Sequence, residues 1–270
     1  MGFCVQPEHY KRNENFPLVL FSGGLNTTRF FYSAIAHEVA SRGFNVLTID
    51  HPFETDIVEF PERTTAYGGH TNTSDLSSIL FSLDIRSQDV SFILNELGFK
   101  ETEKEKVAMF GHSFGGAATA AAMRNDSRIA GGVNLDGLLW GPVIETGFES
   151  PGNKKFLLWG AEGHNSSSDE SWGKFWSTLN KQGVWKRELS LEGGAHGSFW
   201  DLPLVADVAG IRDGLGNETE EGLLGLLGGE RVVGVLADYL RDFFRWVMDP
   251  RRGEGLWGGS GEYPEVGGLK

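Results

Sequence analysis

The chain has 270 residues, 40% of them hydrophobic and 12% aromatic, which suffices for a full core and excludes global disorder. Acidic side chains outnumber basic ones 37 to 24, and the net charge of −13 argues against nucleic-acid partners and against charge-driven docking on anionic membrane. A single cysteine, Cys4, precludes an intrachain disulfide and a cysteine zinc cluster.

The first element is residues 17–22 (PLVLFS), an apolar run that reads as a buried strand, followed by the Gly-rich loop Gly23-Gly24-Leu25-Asn26. Phe31, Ile35 and Val39 recur at helical spacing, and Gly43 sits where a helix C-cap belongs. Residues 44–49 form the next strand, and Asp50 to Asn72 reads as a long polar excursion of the kind that carries function or mobility. Val90, Ile93, Leu94 and Leu97 mark a helix ended by Gly98, and the charge run Lys100–Lys106 reads as a solvated linker. Strands follow at 106–111, 129–135, 155–160 and 184–190, with an Ala-rich helix at 117–123 and further helices at 171–180, 202–212 and 231–247. The last helix is the clearest, with Val232, Leu236, Tyr239, Leu240, Phe243 and Val247 on one face. Strands alternating with helices predict an α/β fold, a mostly parallel sheet with helices on both faces and ligands at the strands' carboxyl ends. No internal repeat is present. A single domain over 1–250 is expected, with 251–270 as a Gly-rich tail.

The stretch Gly111-His112-Ser113-Phe114-Gly115-Gly116 carries the chemistry. It matches Gly-X-Ser-X-Gly between a predicted strand and a small-residue helix, the context that makes this motif a nucleophile elbow. The glycines two positions either side remove side chains that a sharp turn cannot hold, and the helix N-terminus favours developing negative charge. A serine needs a base, and the base needs an acid to orient it. In such elbows the order is serine, acid, histidine. Of seven histidines only His164 and His196 lie well downstream. His196, in the flexible loop Gly193–Ser198 after a strand, is the expected base, with His164 the rival; His9, His37, His51 and His70 read as structural or surface residues, and His112 should point away from the serine. Asp136 and Glu162 each follow a strand, and both satisfy the order required of the acid. For the oxyanion hole, one N–H is expected from Phe114 and a second from the Gly23-Gly24-Leu25 loop.

Phe21-Ser22-Gly23-Gly24-Leu25, the helix Phe30–Ala36, Ser41-Arg42-Gly43-Phe44, Gly-His-Ser-Phe-Gly-Gly and Leu135-Asp136-Gly137 together resemble the platelet-activating factor acetylhydrolase (type II, lipoprotein-associated) group of α/β-hydrolases. The resemblance spans residues 17–200 and departs at Gly23, where the family usually carries His or Pro. It implies the α/β-hydrolase fold, ester hydrolysis without metal or other cofactor, Asp136 as the acid and Leu25 as the second oxyanion donor. A small or short-acyl ester is then the expected partner, with an acetyl-phospholipid-like substrate in view. An acyltransferase or cyclising enzyme using the same acyl-enzyme, and a hydrolase-fold protein that only binds, are the alternatives. Trp140, Phe199 and Trp200 are expected to line the pocket; Phe148, Trp172, Phe175 and Trp176 are weaker choices. No Walker loop, dinucleotide fingerprint or metal-ligand spacing occurs. No apolar run reaches the ~18 residues that cross a bilayer and no leader pattern opens the sequence, so a cytoplasmic location is expected. Five Asn-X-Ser/Thr sequons, at Asn26, Asn72, Asn125, Asn165 and Asn217, keep secretion in view.

Overall fold

The computed structural model describes residues 16–100, 107–216, 220–253, 255, 261–268 and 270; Cys4, His9, most of the charge run and the sequon asparagine at 217 lie outside the described residues. In chain order come β1 (Leu18–Ser22), a 3-10 turn (Arg29–Tyr32), α1 (Ser33–Ser41), β2 (Asn45–Ile49), a hairpin of β3 (Ile57–Glu59) and β4 (Thr65–Tyr67), and α2 (Leu76–Glu96). Then follow β5 (Val107–His112), α3 (Phe114–Asn125), β6 (Ile129–Leu135), α4 (Val143–Thr146), β7 (Lys155–Ala161) and α5 (Glu170–Gln182). The remaining elements are β8 (Trp185–Leu191), α6 (Leu202–Ala209), α7 (Gly229–Met248) and β9 (Val266–Gly268). The main sheet runs β2-β1-β5-β6-β7-β8-β9, parallel throughout except for β9.

Side-chain alternation explains why β1 is apolar at consecutive positions. Val19 and Phe21 join a core with Ile35 and Val39 of α1 and the inner face of α7, whereas Leu18 and Leu20 join Leu83 and Val90 of α2, the alanines of α3, and Trp172 and Phe175 of α5. The sheet is thus covered on both faces. The six α7 residues that define its apolar stripe are all buried, and each fully buried side chain of this size contributes about 1.5–3 kcal/mol. Adjacent Gly131 and Gly132 suit the centre of the sheet for lack of space: a Cβ on the first would lie 2.4 Å from Val247, and on the second 2.3 Å from the Met123 sulfur. The strands therefore place Ser113, Asp136 and the loop before His164 at carboxyl ends of neighbouring β5, β6 and β7.

Two segments differ from expectation. The Asp50–Asn72 excursion contains the β3–β4 hairpin. Within the expected tail, Val266–Gly268 pairs antiparallel with β8, with Val266 opposite Leu191 and fully buried. A three-residue strand with two glycines has no periodicity to read, yet it caps an edge that β8 would otherwise leave open. Among the described residues no helix is long and apolar enough to cross a membrane.

Candidate active site

β5 ends at His112 and α3 begins at Phe114, so Ser113 alone makes the reversal, with φ 55° and ψ −122°. A non-glycine residue held there is strained by about 1–3 kcal/mol, and its neighbours must fix it. The Ser113 N–H donates to Leu135 O at 2.9 Å, and the Ser113 carbonyl accepts from Gly116 N–H at 2.9 Å. A Cβ on Gly111 would lie 2.2 Å from the Gly115 carbonyl, and a Cβ on Gly115 only 1.9 Å from Ser22 O. Gly115→Ala is therefore expected to destabilise the fold by about 3 kcal/mol or more. A lowered urea midpoint at constant m-value would register it.

Asp136, immediately after β6, also sits at positive φ, 57°, and its carboxylate meets three donors. Ala161 N–H reaches Oδ1 at 2.7 Å, His164 Nδ1 reaches the same oxygen at 2.6 Å, and His196 Nδ1 reaches Oδ2 at 2.6 Å. Burial alone would raise the carboxyl's pKa, but the bonds from His164, His196 and Ala161 outweigh it and hold the group well below the usual carboxylate range. Sequence had set the two histidines as rivals; the fold brings both to one carboxylate. They differ in their other nitrogen. His164 Nε2 bonds Asp169 Oδ2 at 2.9 Å, so both of its nitrogens face carboxylates, whereas His196 Nε2 has no partner among the described residues. Burial disfavours a charged His164, but Asp136 and Asp169 together raise its pKa to about 9. Glu162, the other acid considered, touches neither imidazole: its Oε2 accepts Gly193 N–H at 2.7 Å and braces the loop that carries His196.

His112 does not line the cavity over Ser113 and is fully buried, which, with the nearby His196, keeps its ring neutral by lowering its pKa. Its Nε2 lies 3.0 Å from the His196 carbonyl and so donates there, leaving Nδ1 to accept from Tyr32 OH at 3.0 Å. Tyr32 OH in turn accepts Gly24 N–H at 2.9 Å. One buried chain thus ties the Gly23-Gly24-Leu25 loop to the loop that carries His196. Phe199 belongs to this core instead of the pocket: the 3-10 turn His196–Phe199 directs its ring inward, stacked 6.0 Å from His112. Trp200 likewise misses the cavity, packing 5.7 Å from the His112 ring.

The residue that sequence reading missed is Arg86 of α2. Its buried guanidinium donates to Gly23 O at 2.6 Å, Gly24 O at 3.1 Å and Ser22 Oγ at 2.9 Å, pairs with Glu54, and lies 4.8 Å over the Phe114 ring. In a trans peptide the N–H points opposite to the preceding C=O, so anchoring Gly24 O aims Leu25 N–H away from Arg86. His51, taken as a structural histidine, is buried between Ser22 Oγ at 3.0 Å and Asp89 Oδ2 at 2.8 Å. This Ser22-His51-Asp89 arrangement is sealed in the core, where it braces the strand end that leads into the same loop.

A cavity of about 480 Å³ opens over Ser113, bounded by Leu25, Ile79, Phe114, Leu138 and Trp140, with Asp136, His164 and His196 at its polar side. Of the three aromatic residues expected in the pocket, Trp140 is the one that lines it. The glycine loop lies against Ser113, since a Cβ on Gly24 would come within 3.5 Å of the Ser113 Cβ. Neither Leu25 N–H nor Phe114 N–H has an acceptor among the described residues.

Sheet order, elbow and cavity define a serine-type carboxylic-ester hydrolase of the α/β-hydrolase fold. The chain belongs to the platelet-activating factor acetylhydrolase, isoform II, family, whose sequence profile matches residues 3–65 and 84–211. It is 38% identical over 266 residues to a probable 1-alkyl-2-acetylglycerophosphocholine esterase of Arthroderma benhamiae, covering 97% of this chain and 68% of that protein. It is 26% identical over 223 residues to the platelet-activating factor acetylhydrolase of Cavia porcellus, covering 71% of this chain and half of that protein (50%). Among solved structures, a ferulic acid esterase from Streptomyces cinnamoneus superposes with a TM-score of 0.80 at 30% identity, over 96% of this chain and 75% of that one.

Proposed function

We propose that Ser113, His196 and Asp136 form the catalytic triad and that the substrate is a short-acyl ester, an acetyl ester of a glycerophospholipid-like alcohol being the favoured class. The observation that carries this is the asymmetry of the two imidazoles on Asp136. His196 uses only Nδ1 on the carboxylate and lines the same cavity as Ser113, so Nε2 is available to take the serine proton; His164 has both nitrogens engaged. As Ser113 Oγ attacks the carbonyl carbon, its proton passes to His196 Nε2, and the imidazolium is held by ionised Asp136. The N–H groups of Phe114 and Leu25 receive the charge on the carbonyl oxygen. Collapse expels the alcohol, which takes the proton from Nε2. Water, deprotonated by the same nitrogen, then attacks the acyl-serine, and the acid leaves as Ser113 recovers its proton.

The apolar walls suit an acyl group and a short alkyl segment, and the names of the Arthroderma and Cavia relatives support an acetyl group on glycerophosphocholine. Mass spectrometry after a fluorophosphonate should find one adduct, on Ser113. With one alcohol held constant, kcat/KM should fall by at least about 100-fold from acetyl to palmitoyl. A feruloyl ester in the same panel tests the activity named for the Streptomyces neighbour. Absence of any adduct would overturn the triad, and a palmitoyl preference would overturn the substrate class.

A further inference from the structure

We infer that His164 is a positioning residue for the catalytic acid: a second imidazole, clamped between Asp136 and Asp169, that fixes one carboxylate oxygen and so aims the other at His196. The inference rests on the triad reading above and goes beyond it.

Proton counting carries the argument. Carboxylate oxygens accept and do not donate, so a ring with both nitrogens against carboxylates satisfies both contacts only as the imidazolium. A neutral ring would turn a lone pair on one of the two. The ring is held by more than charge, because it packs 4.2 Å from the Trp172 indole, centroid to centroid. Trp172 is itself fixed by its Nε1–H to Gly137 O at 2.7 Å. Asp169 is equally fixed: Oδ1 caps α5 by accepting the N–H groups of Ser171 and Trp172, leaving Oδ2 for His164. The charged or titratable groups facing His164 are thus Asp136 from the end of β6, Asp169 from the cap of α5 and, across Asp136, His196.

His164 carries its charge throughout the neutral range and loses it only above about 9. A fixed cation on one side of Asp136 keeps that carboxylate ionised and holds Oδ1, which leaves Oδ2 to orient His196. With both nitrogens committed, His164 has no N–H to offer the substrate.

Two variants test this on the full chain. His164→Gln removes the cation. Asp169→Asn keeps the ring, and the amide oxygen can still cap α5, but the amide N–H directed at Nε2 favours the uncharged imidazole. Both should lower kcat on the acetyl ester by about tenfold while KM stays within about twofold, because the aim of the carboxylate is lost and the substrate contacts are kept. Fluorophosphonate should still label Ser113 in each. Should His164→Gln melt below assay temperature, Asp169→Asn carries the measurement. An unchanged kcat in a labelled variant overturns the proposal and leaves the triad intact. If His164→Gln blocks labelling while His196→Gln is labelled, His164 is the base, and both this inference and the triad reading fall.

Discussion

Ser113→Ala is expected to lower kcat on an acetyl ester by about 10⁴-fold or more and to abolish the fluorophosphonate adduct, with little change in stability. The two halves of that expectation have separate physical grounds. Turnover falls because the hydroxyl is the only atom that bonds to the substrate; Phe114 and Leu25 N–H groups remain to polarise a carbonyl, so some rate above water persists. Stability is spared because the strain at φ 55° belongs to the backbone and is shared by serine and alanine, while the bonds that hold the turn are main-chain ones, to Leu135 O and from Gly116 N–H. Steady-state rates beside a urea titration separate the cases. A variant that kept its activity would move the chemistry away from the elbow, and one that unfolded would show that the hydroxyl supports the turn.

The elbow was legible in sequence because its requirements are local: a strand, two glycines at fixed offsets and a small-residue helix. The doubly buried strands were legible for a similar reason, since Val19 and Phe21 serve one face while Leu18 and Leu20 serve the other. What sequence could not reveal depends on side chains meeting across long separations. His164 and His196 stand 28 and 60 positions from Asp136, and nothing in either loop says that both reach one carboxylate. Arg86 lies inside a long helix, and its partners are carbonyls 62 and 63 positions earlier, so its role leaves no motif. The cue was faint but present: an arginine at a helix position where Leu83 and Val90, one turn and more away, are buried must find acceptors in the core. Phe199 and Trp200 were misplaced because flanking the histidine in sequence does not fix direction; the 3-10 turn aims the first ring inward, toward His112.

Asp136→Asn is expected to cost about 10³- to 10⁴-fold in kcat, with Glu162→Gln costing less than about tenfold. The surroundings of Asp136 say which way the new amide turns. The Ala161 N–H, a main-chain donor that cannot rotate, points at Oδ1 and selects the amide oxygen there. The amide nitrogen then occupies the Oδ2 position, facing His196 Nδ1. A donor in that place demands a lone pair on Nδ1, which moves the imidazole proton to Nε2, the nitrogen that must be bare to deprotonate Ser113. The substitution thus preserves shape while selecting the unreactive tautomer, and it leaves no counter-charge for the imidazolium formed during attack. Glu162 meets a different demand, for its Oε2 only accepts the Gly193 N–H at 2.7 Å, a bond that an amide oxygen can also accept. Circular dichroism to verify folding, followed by saturation kinetics on the acetyl ester, makes the comparison. A larger loss from Glu162→Gln than from Asp136→Asn would transfer the acid's role to the end of β7 and require His196 to swing toward it.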